Sequence, residues 1–460
     1  MSDPRPIHLV GIGGAGMSGL ARLAHQAGYR VSGTDREESA ALAALRELGV
    51  DARAGHSAGA LPPDAAAVVV STAVPEGVPD LAAARARGLP VLHRSQLLAE
   101  LMSGRRGLAV AGAHGKSTTS ALLVAALGDA SACVGATIPG GGGTGAAWGA
   151  GEWFVAEADE SDRSLLNLAP EGAILLNVDH DHHATFPRLE DVMDVFRAFV
   201  AALPAEGVLV VGPDPLAREC AAAARCAVRE VGEGPGAFAR VAARAPGAGF
   251  TLALADGREV TVPLALAGVH NAWNAACALA LADWCGVAPE TAAPRLAAFR
   301  GIGRRMEPRG AAGGVEVVDD YAHHPAEIRA TVAAARERGP ARLVVVFQPH
   351  LPSRTRALGD EIAAALGAAD VVVVTDVYLA REPADPAASG RALAARVPGP
   401  ARAAYAPSLD AAADAVVADA RPGDLVITMG AGDVTRLGQE LVARLQKLSP
   451  DGDRHGPTRA

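Results

Sequence analysis

Residues Ala111-Gly112-Ala113-His114-Gly115-Lys116-Ser117-Thr118-Thr119-Ser120 follow the apolar run Leu108-Ala109-Val110 and precede a helix-like stretch, Ala121 to Leu127. Strand, glycine loop, Lys-Ser and helix in that order make a phosphate cradle. Backbone N–H groups at the helix start point at the anion, Lys116 reaches the outer phosphates, and the Ser117 hydroxyl can hold Mg²⁺. A chain built this way is expected to bind and spend a nucleoside triphosphate. The usual phosphate loop has glycine five residues before Gly115, where this chain has Val110; Gly112 gives the shorter string G-x-x-G-K-S.

Further polar strings carry chemistry. Glu157-Ala158-Asp159-Glu160-Ser161-Asp162 sets four carboxylates in six positions, a density that asks for a compensating cation. Mg²⁺ prefers oxygen ligands and takes one or two protein carboxylates beside phosphates. Glu157, at a strand end, is the expected ligand. Asn177-Val178-Asp179-His180-Asp181-His182-His183 is rich in donors, but no Cys and no helical H-x-x-x-H accompanies it. That favours one His on Mg²⁺ over a zinc site. Gly11-x-Gly13-x-x-Gly16 lies between strand and helix, with Asp35 about 20 residues on, so a pyrophosphate fits over the helix start. Taken alone this string also allows an NAD-dependent oxidoreductase; a UDP-sugar carries a pyrophosphate too.

Three strings remain. His270-Asn271-Ala272-Trp273-Asn274 opens a helix, where amides cap the helix or read the edge of an adenine. Gly303-Arg304-Arg305-Met306 sets paired cations on a linker, within possible reach of a γ-phosphate. Asp319-Asp320-Tyr321-Ala322-His323-His324-Pro325 and Gln348-Pro349-His350-Leu351-Pro352-Ser353-Arg354-Thr355-Arg356 combine carboxylates, imidazoles and guanidinium groups, a set suited to an amino acid and a carboxylate.

The elements that must hold these strings alternate strand and helix in three α/β blocks. Strands are predicted at Ile7–Val10, Arg30–Gly33, Val68–Thr72 and Pro90–Leu92, then at Leu108–Ala111, Trp153–Ala156 and Ala173–Asn177. A hairpin is predicted around Asp256-Gly257. The last block has strands at Val315–Val318, Leu343–Phe347, Val371–Thr375 and Leu425–Met429, several of them β-branched runs suited to buried parallel strands. Ser103–Gly107 and Phe299–Gly310 read as linkers. Most of the polar strings fall just after apolar strands, and open α/β sheets bind ligands at those ends. They are expected to line connected clefts.

Composition agrees. A length of 460 residues suits three domains. Acidic residues number 51 against 42 basic, a net charge of -9, which argues against a nucleic-acid or membrane-surface partner. The five cysteines form no C-x-x-C pair, so neither a disulfide framework nor a zinc site is expected. Met1–His8 shows no leader pattern and no uncharged apolar run reaches spanning length, so a soluble cytoplasmic protein without membrane insertion is expected.

Together the strings resemble the Mur ligase family, from Ile7 to about Leu445. The resemblance rests on His8–Gly19, Gly112–Thr119, Glu157–Asp162, His270–Asn274, Gly303–Met306, Asp319–Pro325, Gln348–Arg354 and Gly430–Val434. The Gly-Gly-Ala-Gly-Met-Ser and Asp-Asp-Tyr-x-His-His-Pro strings resemble the alanine-adding branch. The resemblance implies an α/β fold of three domains on mainly parallel sheets: a Rossmann-like UDP-sugar domain (1–104), a P-loop ATPase domain (105–308) and a Rossmann-like amino-acid domain (309–447). A disordered tail (448–460) is expected after them. It implies ATP-dependent joining of L-alanine to the carboxylate of UDP-N-acetylmuramate through an acyl phosphate, in peptidoglycan precursor synthesis. A sister ligase that adds a preformed peptide is the near alternative.

The resemblance also implies roles. Gly112, Ala113, His114, Gly115, Lys116, Ser117, Thr118, His270, Asn274 and Asp320 would hold ATP. Ser117, Glu157 and His182 would hold Mg²⁺. Gly13, Gly14, Ala15, Gly16, Met17 and Ser18 would bind the UDP-sugar. Tyr321, His350 and Arg354 would meet the amino acid or the carboxylate, and Lys116, Arg305, His323 and His324 would take part in catalysis. Three departures stand out. Met193 occupies the place of a carbamylated Lys found in many sister ligases. Leu351-Pro352 replaces Arg-Tyr after Gln-Pro-His, so anion binding leans on Arg354 and Arg356. Leu379-Ala380-Arg381-Glu382 replaces the family's Ala-Gly-Glu.

Overall fold

The computed structural model describes residues 5–138, 143–182, 185–245, 247–380 and 382–448. His183, Arg381 and the expected tail from 449 onward lie outside them, while Leu448 ends the helix Thr435–Leu448. The chain forms two compact units, Met1–Ala265 with Asn271–Ile302, and Leu266–His270 with Gly303–Ala460. The first unit holds the sheets of the first two α/β domains, the second that of the third.

In the first domain, β1 (Pro6–Val10), β2 (Arg30–Asp35), β3 (Asp51–Ala54), β4 (Ala67–Val70) and β5 (Val91–His93) run parallel in the order β3-β2-β1-β4-β5. The order reverses beside β1, so Gly11–Gly16 leaves the sheet where a crevice opens. The helix Ala15–Gln26 follows, burying Met17, Leu20 and Leu23 against Leu9 and Ile12. Gly33, Thr34 and Asp35 extend β2 beyond its apolar part because their backbones pair with β1 and β3.

A polar network lies inside this domain. Asp80 is fully buried; its Oδ1 faces His8 Nε2 at 3.3 Å and accepts from Thr34 Oγ1 at 3.2 Å, and Oδ2 faces His56 Nδ1 at 3.5 Å. Burial alone would raise this carboxyl, but the bond from His8, a backbone N–H and the two imidazoles hold it below its ordinary 3.8. A depressed folded value adds stability above the ordinary carboxylate range, and that stability fades as pH falls through the folded value. Asp80→Asn is therefore expected to cost about 1–3 kcal/mol at neutral pH and progressively less in acid, below the ordinary carboxylate value. Urea unfolding at neutral and acid pH checks this; an equal deficit at both would rule the charge out.

The second sheet combines β6 (Arg106–Ala111), β7 (Ser131–Cys133), β8 (Ala146–Ala147), β9 (Trp153–Glu157), β10 (Gly172–Leu175), β11 (Val208–Val211) and β12 (Ala227–Glu230) in the order β12-β11-β10-β6-β9-β7-β8. Only β8 runs antiparallel to its neighbour. A small antiparallel sheet of β13 (Ala239–Ala245), β14 (Gly249–Leu254) and β15 (Glu259–Val262) contains the predicted hairpin, with Leu252 opposite Val260.

The third sheet has β16 (Glu307–Ala312), β17 (Val315–Asp320), β18 (Arg342–Phe347), β19 (Val371–Val374), β20 (Arg402–Tyr405) and β21 (Asp424–Met429) in the order β16-β17-β21-β18-β19-β20. Only β16 is antiparallel.

Both predicted linkers are shorter than their composition suggests. Arg106 and Gly107 belong to β6, paired with Trp153 and Phe154, and the Arg106 guanidinium lies 4.1 Å over the Trp153 ring. Glu307–Gly310 belong to β16, which starts before the expected boundary at 309. In both places pairing with a neighbouring strand overrides a polar, glycine-containing sequence.

Candidate active site

Three loops leave the carboxyl ends of the adjacent strands β6, β9 and β10. The first is the phosphate loop. Gly112 and Gly115 have φ of +135° and +85°, conformations that L side chains resist. A Cβ on Gly115 would also stand 3.0 Å from Asn274 Oδ1, so this turn needs glycine and brings Asn274 against the loop. The helix Lys116–Leu127 starts directly after it. Asn177, just past β10, pins the loop: its Oδ1 accepts from His114 N–H at 2.8 Å and its Nδ2 donates to the His114 carbonyl at 3.0 Å. The short G-x-x-G-K-S string thus builds its cradle with help from β10.

Lys116 Nζ donates to the carbonyls of Gly112 at 2.7 Å and Ala113 at 3.1 Å and to Glu160 Oε1 at 3.0 Å. Burial alone would lower this ammonium, but Glu160 and Glu157 outweigh burial and hold it above its ordinary value. Burial pushes the Glu160 carboxyl up, against the pull of Lys116. Glu160, Glu157 and Asp159 all act on the one ammonium, so Lys116 keeps its charge.

Glu160 is the acidic residue that the sequence pattern hid. Its side chain is buried, and His182 Nε2 stands 3.8 Å from Oε1. Glu157, the expected metal ligand, accepts from Gly135 N–H at 2.7 Å. The strand-end position singles out Glu157; the turn that follows swings Glu160 back over the phosphate loop, aided by Asp159 Oδ1 accepting from Ser161 N–H at 3.0 Å. Glu160 and His182, 3.8 Å apart, and the Ser117 hydroxyl, directly after Lys116 in the chain, offer hard, mostly oxygen donors. The buried orphan Oγ atoms of Thr119 and Ser120 lie one and two residues beyond Thr118. This set and the cradle fit a magnesium nucleotide. His182 has φ +54°, and His114 Nε2 lies 3.1 Å from Asp179 Oδ2. Met193 is buried in the core beside Phe196 and Phe199 and offers no metal-bridging group.

At the first sheet, Gly13 N–H donates to Asp35 Oδ2 at 2.8 Å and Gly14 N–H to the Gly11 carbonyl at 3.1 Å. Asp35 thus holds the glycine loop itself. Met17 and Ser18 are buried in the helix that follows, while the Ala15 side chain lies outside the description.

In the second unit, the strings after β17 and β18 gather around aromatic rings. Asp320 is buried and accepts from the N–H groups of Met306 and Ala322, both at 2.9 Å; burial pushes its carboxyl up, against Arg305. Arg305 pairs with Glu327 at 3.3 Å and lies over the Tyr321 ring at 5.7 Å. His323 Nδ1 is 3.0 Å from the Tyr321 carbonyl, and its ring lies 5.9 Å from that of His350. His350 stacks on Tyr378 and approaches the buried Arg354 at 3.3 Å. His324 caps the helix Pro325–Glu337 with Nδ1, a structural task. His270 folds over Gly268 at the start of its helix. Leu351-Pro352 starts the helix Pro352–Leu366 and puts Arg354 in its first turn. Arg356 is turned away to Asp385 on the surface, so it adds no cation here.

Residues 6–106 match the catalytic domain of the Mur ligase family, 110–282 the Mur ligase middle domain and 304–432 the glutamate ligase domain of Mur ligases. The chain belongs to the Mur ligase family, whose members use ATP. It is 44% identical to a UDP-N-acetylmuramate–L-alanine ligase of Streptomyces coelicolor over 454 residues, covering 96% of this chain and 97% of that one. A ligase of the same description from Kineococcus radiotolerans is 47% identical over 451 residues, 95% of each chain. Among solved structures, the UDP-N-acetylmuramate–alanine ligase of Thermotoga maritima has a TM-score of 0.80 at 26% identity, covering 96% of this chain and 99% of that one. The murein peptide ligase of Psychrobacter arcticus has a TM-score of 0.70 at 25% identity, with the same coverage. The oxidoreductase alternative falls with this membership. Among the described residues no helix is long and apolar enough to cross a membrane.

Proposed function

We propose that this Mur ligase joins the amino group of L-alanine to the carboxylate of UDP-N-acetylmuramate, spending ATP, in peptidoglycan precursor synthesis. The observation that carries the chemistry is Lys116, held by two loop carbonyls and Glu160 at the head of a helix. The identity of 44–47% to alanine-adding ligases, over nearly full length, favours L-alanine over a preformed peptide as acceptor.

A carboxylate is a poor electrophile. In the first step its oxygen attacks the γ-phosphorus of ATP, the bond to the β-phosphate oxygen breaks, and ADP leaves. The alanine amine then attacks the acyl carbon, and phosphate departs with one former carboxylate oxygen. Lys116 neutralises charge on the transferring phosphoryl group, and the loop amides hold it in line. Ser117, Glu160 and His182 would hold Mg²⁺, which supplies further neutralisation when bound. His323, whose Nδ1 lies 3.0 Å from the Tyr321 carbonyl, would take the amine proton. His324 is used as a cap, which leaves His323 as the better base. Arg354, beside His350, would pair with a carboxylate through its fork.

Phosphate release from ATP with UDP-N-acetylmuramate and L-alanine, L-serine, glycine or a tripeptide tests the reading. L-alanine is expected to give the highest kcat/KM; a preference for the tripeptide would reassign the enzyme. Arg354→Ala is expected to raise the KM for L-alanine or for the UDP-sugar by roughly tenfold or more, with Tm measured alongside. Unchanged KM values would place the amino-acid site elsewhere.

A further inference from the structure

Arg94 lies between the two loops of the first unit that the proposed function assigns to different substrates. It is the first residue of the helix Arg94–Ser103, directly after β5. Its Nη2 donates to Asp159 Oδ2 at 2.9 Å and stands 3.8 Å from Asp162 Oδ2. Its Nη1 is turned to the first glycine loop, 4.0 Å from where a Cβ on Gly16 would stand. The neighbouring residues tie the same two segments together. His93 Nε2 is 3.6 Å from Asp162 Oδ2, and Asn167 Nδ2 donates to Ser95 Oγ at 2.7 Å.

The acidic side of this bridge is well ordered. Asp159 and Asp162 each commit Oδ1 to a backbone N–H two residues on, those of Ser161 and Ser164, both at 3.0 Å. Their other oxygens face Arg94. Asp159 is also the residue before Glu160, which grips Lys116. A guanidinium has donors on two edges and can serve two anions at once.

We propose that Arg94 is a substrate-positioning residue that couples the two sites: one edge binds the anionic sugar nucleotide at Gly13–Gly16 while the other keeps Asp159. This rests on the UDP-sugar reading of the glycine loop. An anion on Nη1 fixes the guanidinium, which fixes Asp159 and, through the backbone, Glu160 against Lys116. Sugar-nucleotide binding thereby preorganises the ATP loop. By linkage the magnesium nucleotide tightens sugar-nucleotide binding by the same factor.

The test is calorimetric, on the full chain. The Kd of UDP-N-acetylmuramate is measured with and without saturating Mg²⁺ and a non-hydrolysable ATP analogue. The unsubstituted protein is expected to bind about fivefold or more tightly with the nucleotide present. Arg94→Ala should weaken UDP-sugar binding by roughly ten- to a hundredfold and bring the two Kd values together. Asp159→Asn should leave the Kd without nucleotide within about threefold of the unsubstituted protein, yet also lose the coupling. A purely structural bridge would instead lower Tm and leave the ratio of the Kd values intact, which overturns the proposal. If Arg94→Ala does not fold, Arg94→Lys and Asp159→Asn decide by the same ratio. A ratio of one in the unsubstituted protein also overturns the proposal while leaving the ligase reading standing. Absence of any UDP-sugar binding overturns that reading itself.

Discussion

Lys116→Ala is expected to reduce ATP-dependent amide formation by roughly a thousandfold or more while UDP-N-acetylmuramate still binds. The reason is local. The ammonium is held by the carbonyls of Gly112 and Ala113 and by Glu160, so its position is fixed before any substrate arrives. Charge placed in advance costs no reorganisation during phosphoryl transfer. The glycine loop at Gly11–Gly16 leaves a different sheet, so its own contacts to the sugar nucleotide outlast the loss of Lys116. The substitution should therefore separate turnover from sugar-nucleotide binding. Single-turnover phosphate release and calorimetry on the same sample check both halves; turnover within tenfold of normal would remove the lysine from the chemistry.

Glu160→Gln is expected to lower kcat by about a hundredfold and to raise the Mg²⁺ concentration needed for half-maximal rate. Glu157→Gln is expected to do much less, within about tenfold. Glu160 faces both Lys116 and His182, whereas the Glu157 carboxylate is engaged by Gly135 N–H, which a glutamine carbonyl can still accept. A Mg²⁺ titration of both variants decides between them. The opposite order of effects would return the metal to Glu157.

The contrast between these two residues shows where sequence reasoning stops. Val371–Val374 and Leu343–Phe347 are legible as strands because buried parallel strands are continuous apolar runs. The phosphate loop is legible because a glycine turn, Lys and Ser at a strand-to-helix junction serve one geometry. Ser131–Cys133, Ala227–Glu230 and Arg402–Tyr405 are short and carry small or polar residues, so only their pairing makes them strands. Glu160 differs from Glu157 in the sequence by three positions and nothing else. Its place against Lys116 comes from a turn whose hydrogen bonds no periodicity encodes. Arg94 is more remote still: an arginine in a plain His-Arg-Ser string, brought to Asp159 only when the two domains pack. Asp35 is a third case. Its spacing completes the glycine fingerprint in the sequence, and the fold uses it on Gly13 N–H.

The most direct measurement follows both carboxylate oxygens of UDP-N-acetylmuramate, labelled with ¹⁸O, through a turnover with ATP, Mg²⁺ and L-alanine. Mass spectrometry of the products should find one label in the released phosphate and one in the new amide, with one amide formed per phosphate. Phosphate without label, or phosphate released with no amide formed, would contradict carboxylate activation as the chemistry of this site.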